Sequence, residues 1–267
     1  MNKKTIPSNL ESESKWIDNL LELVNQKLFD WNAENSEEFR VLKYNIWIAY
    51  DLMKKEFDGD FRATWERYFE HLRAVTNIVL TFIDNPNKEK VLIALLHDSI
   101  EDKDLPFELL VYLFWSKVAI AVLWLSKKKL DNYEIDGWDN SKEELKKRRN
   151  EDYFSHMESF DSMLKYVKEL VKEKNITDLS EQDLIEITKN IIDVKLADRI
   201  HNIWTQWDKN NREKVKSKIE ETEKYFYNIA KQRDVRIYNE LHKSVLDLKV
   251  KLTGVEYDVN LLLEHKN

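Results

Sequence analysis

The segment "IALLHDSIED", Ile93–Asp102, points to the architecture because it joins a buried helix to a cluster of ligand-type side chains. The run "VLIALL", Val91–Leu96, is apolar on every side of a helix, a pattern that predicts burial on all sides. Four side chains able to bind a metal or move a proton follow it: His97, Asp98, Glu101 and Asp102. Carboxylates buried without a cationic partner are costly. We therefore expect a cation to meet these groups.

A divalent transition metal is one such cation, since it suits ligand sets of histidine and carboxylates. The alternative is that "HDSIED" is simply an exposed, acidic helix end. Acidic residues at a helix C-terminus oppose the helix dipole, which weighs slightly against the alternative. On this segment alone, both interpretations stay open.

The amino-acid composition predicts an all-α fold. The 267 residues include only 3 Gly and 3 Pro, whereas a β-rich domain needs turn residues every few positions. Hydrophobic residues make up 42% of the chain, enough for a substantial core. No cysteine is present, which excludes disulfides and thiolate metal sites and is typical of a cytoplasmic protein.

Apolar periodicity and capping residues predict a series of helices with short polar breaks. The predicted helices cover residues 14–31, 36–57, 65–83, 88–101, 106–128, 141–173, 181–207, 211–231 and 234–252. The patterns "SKEE" and "SEQD" predict helix caps at Ser141 and Ser180. The tail that begins at Val255 predicts one more short helical turn. No repeat or Pro/Gly/Ser-rich linker divides the chain, which favours a single helical domain.

The charge and hydropathy patterns narrow the classes of partner. A formal net charge of −7 disfavours nucleic-acid binding through a broadly basic surface, although a local basic pocket for a small phosphorylated ligand remains allowed. The longest apolar run, Val118–Leu125, is shorter than the roughly 18–20 residues of a membrane helix and predicts a core helix. The N-terminal sequence has no apolar signal segment. We expect a cytoplasmic protein without a membrane partner.

The segment "VKLADRIHN", Val194–Asn202, carries a second group of polar side chains on a helix that is otherwise apolar. Asp198, His201 and Asn202 share one helix face, since they are three and four residues apart. In the alternative interpretation Asp198 caps a neighbouring helix or pairs with Arg199. His201 is expected to be a structural hydrogen-bonding residue.

The segment "DGDFRATWERYFEHLRAV", Asp58–Val75, carries a third candidate group. His71 lies among apolar residues, where a lone histidine is most simply a core residue. Arg62 stands where a loop enters the helix, and its guanidinium suits phosphate recognition. An ordinary surface arginine is the alternative for Arg62.

In this order, the three segments resemble the HD-domain metal phosphohydrolases. They are most similar to the hydrolase domain of the RelA/SpoT homologue family, which removes pyrophosphate from the alarmone (p)ppGpp. The resemblance rests on Arg62, on His71 nine residues later, and on the sequences "IALLHDSIED" and "KLADRIHN". The sequence "KIEETEKYFYNIA" resembles a further helix of that family. The resemblance covers roughly residues 48–128 and 187–230.

The resemblance implies a role for each matching residue. One Mn²⁺, or another divalent metal, would be held by His71, His97, Asp98 and Asp198. Glu101 and Asp102 would position and activate the attacking water. The substrate would be contacted by Arg62, Asn202, Lys127 and Lys195. The implied reaction cleaves the 3′-pyrophosphate of (p)ppGpp to give GDP or GTP and pyrophosphate, as in the stand-alone alarmone hydrolases of the stringent response.

The chain departs from the family pattern in two places. "ATWERYFEHL", Ala63–Leu72, replaces a loop with Gly and Pro that shapes the nucleotide pocket, so the base is left open. Asp98 and Asp198 are 100 residues apart, an excess that maps to a helical insertion at about 131–182. The expected organisation is an N-terminal helical extension (1–35), the phosphohydrolase domain (36–235), and a C-terminal helix and tail (236–267).

Two alternatives to the alarmone hydrolase stay open at this point. One is an HD phosphohydrolase for another nucleotide, such as a dNTP, a nucleoside monophosphate or NADPH. The other is a non-catalytic nucleotide-binding sensor that keeps the fold. The sequence gives no oligomeric state.

Overall fold

The computed structural model describes residues 13–29, 36–62 and 65–254, and this part of the chain is all-α, as the composition predicts. Its only β-type pairing is an isolated antiparallel bridge between Phe61 and Arg67. The helices are α1 (Glu13–Leu28), α2 (Glu37–Glu56), α3 (Tyr68–Phe82), α4 (Lys88–Leu96), α5 (Ser99–Lys103), α6 (Phe107–Leu125), α7 (Lys142–Ser155), α8 (Phe160–Glu173), α9 (Glu181–Thr205), α10 (Arg212–Tyr225), α11 (Tyr227–Arg233) and α12 (Val235–Thr253). A short 3₁₀ turn, Leu130–Tyr133, precedes α7.

Several helix starts agree with the capping residues in the sequence. The side chains of Ser36, Ser141 and Ser180 each accept a hydrogen bond from the backbone N–H three residues on. At Ser180 the bond is reciprocal, because Asp183 accepts from the Ser180 backbone N–H and completes a capping box. The predicted helical turn in the C-terminal tail lies outside the described residues.

Three helices that the sequence predicts as continuous are each two helices. The predicted helix over 88–101 divides into α4 and α5, and the one over 211–231 divides into α10 and α11. The predicted helix over 141–173 divides into α7 and α8, since the Ser159 side chain accepts from the Ser162 N–H and caps a new helix. Predicted ends also shift: α3 starts at Tyr68 instead of Trp65, and α6 ends at Leu125 instead of Lys128.

Helix α4 lies at the centre of the fold. Every residue from Val91 to Leu96 is fully buried, as the apolar pattern predicts. It packs against α2, α3, α6 and α9. Helix α4 therefore holds His97, the residue that caps its C-terminus, in the interior, where α3 and α9 pass beside it.

An ion cluster behind the site joins α4 to α9. Asp193 of α9 is fully buried and accepts from Lys90 of α4 at 2.9 Å and from Arg233 of α11 at 2.7 Å. Close to it, the Asn87 side chain, which caps α4, donates to Asn190 of α9. These contacts fix the two helices that carry His97 and Asp198 relative to each other.

Helix α6 is apolar and long enough to cross a membrane, contrary to the expectation that no segment would be. Its second half, Val118–Leu125, is largely buried against other helices of the protein, and the chain kinks at Phe114 and Trp115. We therefore describe the second half of α6 as a core helix, which is what the sequence predicts for Val118–Leu125.

Candidate metal centre

Side chains from three separate parts of the chain converge at the inner end of α4. His71 comes from α3, His97 and Asp98 from the junction of α4 and α5, and Asp198 from α9. One ligand atom each of His71, His97 and Asp198 lies within 4.8 Å of the others, and all three residues are buried. These residues form a group able to hold a divalent metal.

The distances between ligand atoms are short. His71 Nε2 lies 3.2 Å from His97 Nε2 and 3.3 Å from Asp198 Oδ1. Asp98 Oδ2 lies 3.2 Å from His97 Nε2 and 3.6 Å from His71 Nε2. The carboxylates therefore face the same pair of imidazole nitrogens, and Asp98 belongs to the cluster as the sequence predicts.

The junction between α4 and α5 turns the acidic side chains toward this cluster. His97 Nδ1 lies 2.9 Å from the Ala94 carbonyl, the acceptor that the Asp98 N–H would use in a continuous helix. The backbone of Asp98 leaves helical geometry (φ −98°, ψ 3°) and α5 begins at the next residue. Glu101 and Asp102 consequently lie on the short helix α5, which is separate from α4.

Hydrogen-bond partners assign the tautomers of both imidazoles. Arg62 can only donate, so His201 Nδ1, 3.1 Å from Arg62 Nη1, is an acceptor. His71 Nδ1 lies 2.8 Å from this His201 Nδ1 acceptor, so His71 Nδ1 must be a donor. His97 Nδ1 donates to the Ala94 carbonyl. In their neutral forms both His71 and His97 therefore present the Nε2 lone pair to the cluster.

The Nε2 lone pairs of His71 and His97 face each other 3.2 Å apart, and the carboxylates of Asp98 and Asp198 lie beside them. This arrangement requires a positive charge between the two nitrogens. Without a metal, a proton meets this need. Burial opposes the charge on His97, but Asp98 and then Asp198 hold its pKa up at about 9. Burial lowers the pKa of His71, despite the hydrogen bond to Asp198. The donor set of two imidazoles and two carboxylates fits a divalent transition metal, which would take the place of that proton.

Arg62, His201 and His71 form a chain of hydrogen bonds. The Arg62 side chain is only 17% exposed and donates to Thr205 and Asn202 as well as contacting His201. Burial and the nearby His71 and Arg62 lower the pKa of His201 to about 2, so this histidine stays neutral. Arg62 is therefore not an ordinary surface arginine. His201 has the structural hydrogen-bonding role that we expect from the sequence.

Asp198 is held by neighbours on its own helix. Lys195 Nζ donates to Asp198 Oδ2 at 3.2 Å, and the Asn202 amide donates to Oδ1 at 2.5 Å. Burial opposes ionisation, but Lys195 and His71 keep the pKa of Asp198 well below its ordinary value. The alternative pairing with Arg199 is not what the structure has, since Arg199 bonds to Glu221 of α10.

Tyr68 is a site residue that the sequence analysis missed. Its hydroxyl lies 2.8 Å from Asp98 Oδ2 and also contacts Asp102 Oδ2. Partial burial and then Asp98 raise the pKa of Asp102 to about 6. A signal was present, since Tyr68 stands three residues before His71 and shares its helix face. Only the packing of α3 on the α4–α5 junction reveals the contact.

Glu101 and the two lysines lie on one side of the cluster. Glu101 Oε2 accepts a hydrogen bond of 3.0 Å from the backbone N–H of Lys127. The ammonium groups of Lys127 and Lys195 lie 5.4 Å and 5.2 Å from the centroid of the same ring, Tyr153 of α7. The structure thus brings together every site residue named in the sequence analysis.

No protein-family model matches this sequence, and no curated protein matches it either. The family resemblance therefore rests on the motif residues themselves, and the chemistry of the centre has to be argued from its geometry.

Proposed function

We propose that the protein is a divalent-metal-dependent phosphohydrolase, and that its substrate is (p)ppGpp. One observation carries the proposal: His71, His97, Asp98 and Asp198 meet from three chain segments with both Nε2 lone pairs turned inward. The resemblance to the RelA/SpoT hydrolase domain supplies the metal, Mn²⁺, and the products, GDP or GTP and pyrophosphate. The cytoplasmic location expected from the sequence belongs to the same proposal.

In this proposal, some residues of the centre bind the metal and the substrate, and others accept a proton from water or orient it. A divalent ion held by the cluster would polarise a phosphoryl group and make water more acidic. Asp102, with its raised pKa and its contact to Tyr68, is placed to accept a proton from the attacking water. Glu101 orients that water from the adjacent position on α5. Arg62 and Asn202, already joined to each other, would contact the phosphates.

A second candidate is the same chemistry on another nucleotide. The specific observation is the turn that carries Arg62, closed by the Phe61–Arg67 bridge and an Arg62 N–H bond to the Glu66 carbonyl. This turn replaces the Gly- and Pro-containing loop of the family, and its Trp65 is 87% exposed. The two candidates therefore differ in the base of the nucleotide that the site accepts.

A substrate panel with Mn²⁺ tests both candidates. Purified protein is incubated with ppGpp, pppGpp, dNTPs, nucleoside monophosphates and NADPH, and the products are separated by chromatography. The Asp98→Asn variant, which has nearly the same shape, is the matched control for contaminating hydrolases. Release of pyrophosphate from ppGpp by the wild type alone would support the leading proposal. Turnover of another nucleotide would favour the second candidate, and no turnover with bound nucleotide would favour the non-catalytic sensor.

A further inference from the structure

A group of cationic side chains lies near Glu101. These cations come from α7, α9, α10 and the loop after α6, and two of them, Lys127 and Lys195, lie against the ring of Tyr153. Five cations lie in this group, with three carboxylates among them. The cations are Lys127, Arg149, Lys195, Arg199 and Lys218, and the carboxylates are Glu101, Asp198 and Glu221.

The carboxylates do not neutralise this group. Arg199 and Lys218 share a single oxygen of Glu221. The partner of Lys195 is Asp198, which is already part of the metal centre. Within the described part of the chain, Lys127 and Arg149 have no carboxylate within ion-pair distance.

Some of the polar atoms are buried without partners. Arg199 is 5% exposed, yet its Nε and Nη1 atoms have no hydrogen-bond acceptor. The buried Nε of Arg149 also has none. Such unsatisfied donors are costly in a folded protein unless a ligand meets them. An anion with several oxygens would satisfy them and the excess charge together.

Mutual repulsion shows how closely the cations are placed. Burial, and then the charge of Lys195, lower the pKa of Lys127 to about 8, with further repulsion from Lys218 and Arg149. Burial and Arg199 likewise lower the pKa of Lys218. A bound anion would relieve this repulsion.

Helix α7 contributes to this group although it belongs to the segment identified as an insertion. Tyr153 is 6% exposed, and its hydroxyl lies 3.4 Å from the carbonyl of Leu125, the last residue of α6. The ring packs at a tilt against Trp124, and both lysine ammonium groups lie within 5.4 Å of its centroid. Arg149 lies one turn earlier on the same helix, its Nε is buried, and its charge acts on Lys127.

We propose that Arg149 and Tyr153 of α7 complete an anion subsite, with Lys127, Lys195, Arg199 and Lys218, for a phosphate of the substrate other than the one attacked. Arg149, Arg199 and the lysines bind the phosphate oxygens, and Tyr153 positions Lys127 and Lys195. The subsite favours substrates with a second phosphate over simple monoesters. The claim that this anion is a phosphate of the substrate rests on the proposed function. The claim that the subsite binds a polyphosphate does not.

Isothermal titration of the full-length protein with inorganic pyrophosphate tests the subsite, with EDTA present so that neither metal nor turnover is involved. Arg149→Gln is compared with Lys147→Gln, which removes the same charge from an exposed position of the same helix. We expect Arg149→Gln to weaken pyrophosphate binding about tenfold or more, and Lys147→Gln to change it by less than about twofold. Arg149→Lys should restore part of the affinity, because it keeps the charge but loses the paired donors.

The inference is wrong if the wild type does not bind pyrophosphate, or if Arg149→Gln and Lys147→Gln behave alike while both keep the wild-type circular dichroism spectrum. Addition of ppGpp should displace pyrophosphate; simultaneous binding of both would identify a separate effector site and overturn the assignment. If the substrate panel shows no hydrolysis but Arg149→Gln still loses pyrophosphate, only the proposed function fails. If the substrate panel shows hydrolysis but Arg149→Gln and Lys147→Gln bind pyrophosphate equally well, only the proposed subsite is wrong.

Discussion

Replacing Asp193 by Asn tests whether the buried ion cluster holds together the helices of the candidate metal centre. Asp193 is fully buried and lies 2.9 Å from Lys90 Nζ and 2.7 Å from Arg233 Nη2. The Lys90 ammonium is itself 3% exposed, and its other partner is the carbonyl of Asn85. The substitution therefore leaves a buried cation without its carboxylate, while the shape of the side chain stays almost unchanged.

The expected loss of stability is large. Breaking a buried ion pair by removing one partner costs about 3–5 kcal/mol, because the remaining charge stays desolvated. Lys90 meets this description, whereas the more exposed Arg233 can turn to solvent, so we assign the cost to Lys90. Total stabilities of domains are about 5–15 kcal/mol, so the variant would lose a substantial share. With a urea dependence of about 3 kcal/mol per molar, the unfolding midpoint would fall by about 1 M or more.

Urea unfolding followed by circular dichroism at the helical band measures this effect. The matched control is Glu220→Gln, which breaks the exposed pair with Lys216 and should cost less than about 1 kcal/mol. The double variant Lys90→Met with Asp193→Leu should recover most of the loss, since it removes the buried charges together. The reasoning is refuted if Asp193→Asn costs no more than Glu220→Gln, or if the double variant is less stable than Asp193→Asn.

Four further predictions concern the site. Asp98→Ala should abolish hydrolysis and lower the metal content of the purified protein, and full activity in this variant would contradict the ligand assignment. Glu101→Gln should keep the metal but lose turnover; unchanged turnover would mean that the water is oriented otherwise. Because the pKa of Lys127 is lowered to about 8, this lysine is charged below about pH 8 and loses its charge as the pH rises through that value. The affinity for pyrophosphate should therefore fall above about pH 8 in the wild type but not in Lys127→Arg. If affinity depends on pH in the same way in both proteins, Lys127 is not part of the subsite. Mn²⁺ at about 100 times its dissociation constant should stabilise the protein by about 2.7 kcal/mol and raise the melting temperature by about 5–10 °C, an effect that EDTA should reverse; an unchanged melting temperature would argue against a metal centre.

Features that depend on neighbouring residues were predictable from the sequence. The fully apolar run Val91–Leu96 predicts a helix buried on all sides, and α4 is buried on all sides. The serines at 36, 141 and 180 predict helix starts because a cap acts within one turn of its own helix. The division of the predicted long helices was missed, since a break such as that at Asp98 depends on a competing side-chain bond to one carbonyl.

Contacts between distant residues could not be read in the same way. Arg62 looks like a surface residue until α3 and α9 are packed together and its guanidinium meets His201 and Asn202. Tyr68 shares a helix face with His71, but nothing local shows that its hydroxyl reaches the α4–α5 junction. Arg149 belongs to a charged helix that reads as solvent-exposed, and only the contact of Tyr153 with the end of α6 shows that this helix packs on the core.

The amino-acid sequence alone specified the helical class of the protein and the chemical types of side chain available to the site. Both follow from local physics, because helical hydrogen bonds join residues four apart and apolar periodicity selects the buried face. The tertiary structure settled which atoms meet: the inward Nε2 lone pairs of His71 and His97, the position of Tyr68, and the cations around Tyr153. Those relations depend on how helices far apart in the chain pack at their crossings, and no local pattern encodes a distance between their side chains.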